Sequence, residues 1–153
     1  MTTIPFLKNL KLTQRTDVIF STDRKTLIHC PNNFVGEFEI PEGIETVGID
    51  AFAGCKALTS VILPKSLQRI QMLAFANCTD LRKISITTHQ TIAVADDAFD
   101  SMHFDKCIVE VPLETRNKYY KSYIWCEFNC IIEKTRTAEV EYYKNKNSLK
   151  QVI

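Results

Sequence analysis

Glycine is scarce in this chain, with four in 153 residues, and tryptophan occurs once. A glycine-rich loop that cradles phosphate is therefore not on offer, and no Walker or dinucleotide motif occurs. Charge of one sign is also missing. Nineteen basic residues against eighteen acidic ones leave a formal charge of +1, too little field to draw in nucleic acid or an anionic membrane surface. No apolar run approaches the ~20 residues that span a bilayer. Neither G-x-S-x-G nor H-E-x-x-H is present. The opening stretch, MTTIPFLKNLKLTQR, holds Lys8 and Lys11 but no continuous apolar core and no small-residue cleavage site. It does not read as a signal peptide. These absences leave one domain of ordinary soluble composition, large enough to bury most of its apolar surface without staples.

Cysteine is not scarce. Cys55 and Cys78 stand 23 residues apart, while Cys126 and Cys130 form C-x-x-x-C with Cys107 upstream. No C-x-x-C pair of the zinc type occurs. The expected role is that of small apolar side chains packed inside the fold, with a disulfide between the later cysteines as the alternative.

The 23-residue interval belongs to a larger pattern. AFAGCKALTSVILP, residues 51–64, returns as AFANCTDLRKISIT, residues 74–87. The same step carries Pro41 to Pro64, Ile44 to Leu67, Val47 to Ile70, and Ile40 to Leu63 to Ile86. A third copy, VADDAFD, follows at 24, with Thr87 where proline stood and Met102 or His103 near the cysteine position. Such self-similarity is the mark of stacked coils.

Each unit has a physical reading. Val61-Ile62-Leu63 alternates in, out, in, as a half-buried strand does. Pro64 cannot donate to a ladder and ends the strand. Leu67 and Ile70 turn the return segment inward, Ala74 and Phe75 fill the coil, and Cys78 tucks into a tight corner. One coil cannot bury this stripe alone, so coils must stack. Upstream, FSTDRKTLIHCPNNFVGEFEI offers an Asp23-Arg24 turn, a Pro31-Asn32-Asn33 turn and the strand Phe38-Glu39-Ile40. Downstream, Val109-Glu110-Val111-Pro112 repeats the strand-plus-proline ending. LETRNKYYKSYIWCEFNCIIE then supplies a short helix from Glu114 and the bulk of Tyr119, Tyr123, Trp125 and Phe128 to plug the end of the stack.

The phrases IPEGIETVGIDAFAGCKALTSVILPKSLQRI and MLAFANCTDLRKISI resemble the BspA-like leucine-rich-repeat proteins of bacterial and some protozoan cell surfaces. STDRKTLIHCP is similar to that family's opening segment, and VEVPLETRNKYYKSYIWCEFNCIIE to its closing unit. The resemblance spans roughly residues 18–133. It implies a short leucine-rich-repeat solenoid, a right-handed curved coil stack, with one strand per coil on a common face. It also implies adhesion or binding to host proteins, other cells or glycans from a cell-surface or secreted position, without catalysis, cofactor or membrane insertion. A structural spacer or oligomerising segment of a larger surface protein is the alternative. The expected organisation is a linker or cap over 1–17, coils over 18–111, a C-terminal cap over 112–133 and a basic tail over 134–153.

Chemistry leaves little trace. His29 beside Cys30 is the nearest approach to a nucleophile and base, but neighbours on extended chain point to opposite faces. His89 and His103 are expected at the surface. Asp96, Asp97 and Asp100 read as a solvated corner rather than a cation site. Asn77-Cys78-Thr79 matches a glycosylation sequon. With Phe38/Ile40, Val61/Leu63, Ile84/Ile86 and Val109/Val111 inward, alternation sends Glu37/Glu39, Ser60/Ile62, Lys83/Ser85 and Ile108/Glu110 outward. These eight residues form the candidate partner-binding face. With coils about 4.8 Å apart, the row Glu39–Ile62–Ser85–Glu110 would run roughly 15 Å.

Overall fold

The computed structural model describes residues 17–134. The linker or cap expected before residue 17 and the basic tail after Lys134 lie outside the described residues. The chain winds through two sheets. Strands β3 (Gly36–Glu39), β5 (Leu58–Leu63), β7 (Lys83–Ile86), β9 (Ile108–Val111) and β10 (Cys130–Glu133) form one of them. All its neighbours run parallel. The second sheet holds β1 (Ile19–Phe20), β2 (Thr26–His29), β4 (Thr46–Val47), β6 (Arg69–Ile70) and β8 (Ala93–Val94). Only β1 is antiparallel there, turned back on β2 through the expected Asp23-Arg24 turn. The return segment of each coil thus contributes a short strand of its own, beyond the single strand per coil expected. The core lies between the sheets.

The registers explain the repeat interval. Val61 pairs with Ile84, and Val47 with Ile70, so equivalent side chains lie one above another. Prolines end the first-sheet strands as expected. Where Thr87 replaces proline, its freed N–H donates to the Leu63 carbonyl at 3.3 Å and its hydroxyl to the same oxygen at 2.6 Å. Gly54 and Asn77 share a repeat position because the corner needs a left-handed backbone, with φ of 76° and 58°. Glycine adopts this freely, and asparagine does so better than most residues.

A column of rings runs through the interior. Phe52, Phe75 and Phe99 stack with centroids 5.0 Å apart and planes within 5°, a spacing that matches the separation of neighbouring strands. Phe34 and Phe38 close one end edge-on at 5.1–5.2 Å. Trp125 and Phe128 close the other, 5.9 and 5.3 Å from Phe99. The plug is pinned by its polar ends: Trp125 Nε1 donates to the Ile92 carbonyl at 2.8 Å and the Tyr119 hydroxyl to that of Gln90 at 3.1 Å. Helices α1 (Ser101–Lys106) and α2 (Arg116–Tyr120) and a 3-10 turn (Trp125–Glu127) occupy the last corners.

Four cysteines follow the packing role and two do not. Cys30, Cys55, Cys78 and Cys107 are buried, while Cys126 and Cys130 are exposed free thiols, not a disulfide. The buried thiols donate backward across the stack: Cys55 to the Cys30 carbonyl at 3.6 Å, Cys78 to Phe52 at 3.0 Å, and Cys107 to Leu81 at 3.1 Å. His103 corrects the surface expectation, being fully buried. Helix α1 replaces the tight corner in the third unit and turns the imidazole into the stack. Its Nε2 meets the Cys78 carbonyl at 2.9 Å, the kind of contact a cysteine makes one coil earlier, and the Asp100 N–H donates to Nδ1 at 2.9 Å. A ring that accepts at Nδ1 and donates at Nε2 is neutral. His89 is exposed as expected.

Removing the middle ring should test the column directly. Phe75→Ala is expected to cost about 3–5 kcal/mol in denaturant unfolding, and a loss below about 1 kcal/mol would rule out the column as a main support. Thiol titration of the native protein should find Cys126 and Cys130 fast and the four buried cysteines reactive only on unfolding. Burial pushes the Cys78 thiol up to about 12 and Cys107 to about 11, from an ordinary 9.0. The unfolded chain therefore loses these protons first, and stability present in full below pH 9 is lost as pH rises toward the folded values. Thermal midpoints should fall above about pH 9, and fall less steeply in Cys78→Ala.

Candidate functional site

The outer face of the five-stranded sheet carries two columns, set by alternation and by parallel register. One runs Glu37–Ser60–Lys83–Ile108–Cys130, and the other Glu39–Ile62–Ser85–Glu110–Ile132. The inward partners Phe38, Val61, Ile84, Val109 and Ile131 are all buried. The eight residues expected outward do lie on this one face. Sequence reasoning placed Cys130 and Ile132 in the cap and so left them out. The available signal was the Cys-Ile-Ile-Glu run, whose Ile131 stands 22 residues after Val109, close to one repeat.

The face is uneven. At the β3 end, Glu37 accepts from the Ser60 hydroxyl at 2.7 Å, and Glu39 has no ion pair among the described residues. In the middle, Lys83 Nζ sits 3.4 Å from Glu110 Oε2, and the Ser85 hydroxyl donates to Glu110 Oε1 at 3.2 Å. Ser85 points outward but is only 6% exposed, so it offers a partner little to read. Its small side chain lies below the longer Lys83 and Glu110 and spends its hydroxyl on the latter. At the far end Ile108 and Ile132 are 41% and 40% exposed. The Lys134 ammonium lies there too, held below its ordinary pKa by burial and further by Lys83, with Glu110 opposing.

Among the described residues no reactive constellation accompanies this face. His29 is exposed and Cys30 buried, on opposite sides of the chain as alternation requires. The Cys30 thiol is pushed up, first by the neighbouring Cys55 thiol and then by burial, which keeps it protonated and unreactive. Asp100 is committed to the backbone, accepting from the Asn77 N–H at 2.7 Å. Among the described residues no group of three or more His, Cys, Asp or Glu could hold a metal ion. No helix there is long and apolar enough to cross a membrane.

The second sheet presents a shallow apolar groove of about 340 Å3, lined by Ile49, Arg69, Ile70, Met72, Val94 and neighbouring residues. Ile49 and Met72 are 56% and 51% exposed. Beside them Leu73 holds a left-handed backbone, φ 57°, which an ordinary side chain adopts only at a cost.

Comparison with protein families matches residues 29–150 to the BspA type leucine rich repeat region, in six copies. No curated protein matches the chain. The match runs past the last described strand, and the stacked parallel strands at repeat intervals are the architecture that such repeats build. The chain therefore belongs to the BspA-type leucine-rich-repeat family, whose repeats generally serve protein interaction rather than catalysis.

Proposed function

We propose that this chain is a non-enzymatic adhesion or interaction module of a surface or secreted repeat protein. It engages a protein or glycan partner through the strand face of Glu37, Glu39, Ser60, Ile62, Lys83, Ser85, Ile108 and Glu110, extended by Ile132. The observation that carries this reading is the pair of aliphatic side chains, Ile108 and Ile132, left 41% and 40% exposed on a continuous parallel sheet. In the column of Ile108 the preceding coils carry polar Ser60 and Lys83 instead. Ile62 lies half-buried next to the acidic edge, with Lys83, Ser85 and Glu110 between it and the two isoleucines. The support of family membership is general: such repeats bind proteins.

A second reading, a spacer or oligomerising segment, is favoured by the other sheet. Ile49 and Met72 are well exposed around the apolar groove, and two copies could cover such a strip.

Two measurements separate the readings. Ile62→Arg should weaken a partner captured by the intact protein by roughly tenfold or more, and unchanged affinity would reject the strand face. Light scattering should report a monomer over a wide concentration range if the strand face is the working surface. A dimer that Met72→Lys dissociates would favour the oligomerising segment instead.

A further inference from the structure

Resting on the strand face as the binding surface, we infer that its partner is a polypeptide segment with a basic side chain four to six residues from an aliphatic one. The sheet is charged at one end and apolar at the other, and its centre is self-neutralised. Glu37 and Glu39 are alternate residues of β3, so both carboxylates stand on the outer face roughly 7 Å apart. One hydroxyl, that of Ser60, is the only partner these two carboxylates have among the described residues. Among the described residues β3 is also the edge strand, and no described coil beyond it on that sheet supplies a compensating cation. Two uncompensated acids at one rim call for a base.

The centre cannot answer that call or repeat it. Lys83, Glu110 and Ser85 close on one another, leaving no free charge between the ends. Beyond them Ile108 and Ile132 offer aliphatic surface beside Cys130. Lys134 lies close by, so a second base is repelled there. The partner's orientation follows: base over β3, aliphatic side chain over β9 and β10.

Length follows from the stack. β3 and β9 are three strand spacings apart and β10 is one more, about 14 to 19 Å in all. An extended segment lying along the stack covers about 3.3 Å per residue, hence four to six residues between base and aliphatic group. A glycan fits this face poorly. Sugar rings are commonly held by an aromatic plane against the C–H face and by side-chain amides along the hydroxyl rim. The outward side chains of the five strands include no aromatic ring and no amide.

The test uses the full chain, isotope-labelled, and three synthetic twelve-residue peptides. One carries Lys-x-Lys followed five residues later by Leu, the second has Glu in place of both lysines, and the third moves Leu next to the lysines. A chitin tetrasaccharide serves as the glycan probe. The first peptide should shift the amide signals of Glu37, Glu39, Ile62, Ile108 and Ile132. The double variant Glu37→Lys, Glu39→Lys should weaken it roughly fivefold to tenfold, and the other peptides should bind weakly or not at all. Equal binding by the glutamate peptide or by the rearranged one overturns the inferred chemistry while the strand face stands. So does a tetrasaccharide that shifts the face when the first peptide does not. If no probe at millimolar concentration shifts the face, the inference falls; if Ile62→Arg also leaves a captured partner's affinity unchanged, the reading of the face falls with it.

Discussion

Everything in this molecule depends on the stacking of one coil upon the next at the spacing of paired strands. A single coil of about 23 residues carries more apolar side chain than it can hide, and only its neighbours can cover the remainder. The ring column shows the constraint at work. Phe52, Phe75 and Phe99 sit 5.0 Å apart because the backbone ladders on either side hold the coils near that distance, and flat rings fill the gap without voids. Each buried ring or aliphatic side chain contributes about 1.5–3 kcal/mol by leaving water, and the ladders let every coil do so in the same register.

The same register makes the surface. Alternation within a strand decides which residues point out, and parallel pairing decides which of them become neighbours. Glu37 and Ser60 lie 23 residues apart in the chain yet share a 2.7 Å hydrogen bond. Lys83 and Glu110 meet diagonally between neighbouring strands. A partner approaching this face meets a short ordered grid whose columns are charged at one end and aliphatic at the other. The carboxylates and the lysine on the grid are either spent on each other or spread along an open sheet, and four of the six thiols are buried in the interior.

Most of the fold was legible because the repeat is written in local periods. Proline after a strand, a small residue before phenylalanine, and cysteine at the tight corner each act within a few residues. Less legible were the places where the repeat degrades. His103 was expected in water, but helix α1 turns it inward, where it makes the backbone contact a cysteine makes in the preceding unit. Cys126 and Cys130 looked like further packing residues, but the closing turn leaves them exposed. β10 was hidden inside the cap because Cys-Ile-Ile-Glu lacks the closing proline that marks β3, β5 and β9, and Ile132 went unnoticed with it. Ser85 faces outward as alternation requires, yet its longer neighbours cover it.

By itself the sequence determined the coil, its inward stripe and the face each side chain takes, since alternation and turn chemistry act between near neighbours. Only the tertiary structure decided what those faces become. Whether a side chain is read by a partner or spent on a neighbour depends on residues one coil away, and at the ends on whether another strand lies beyond. That is why Glu39 stands open at an edge, why Glu110 is consumed by Lys83 and Ser85, and why a histidine among polar residues lies in the core.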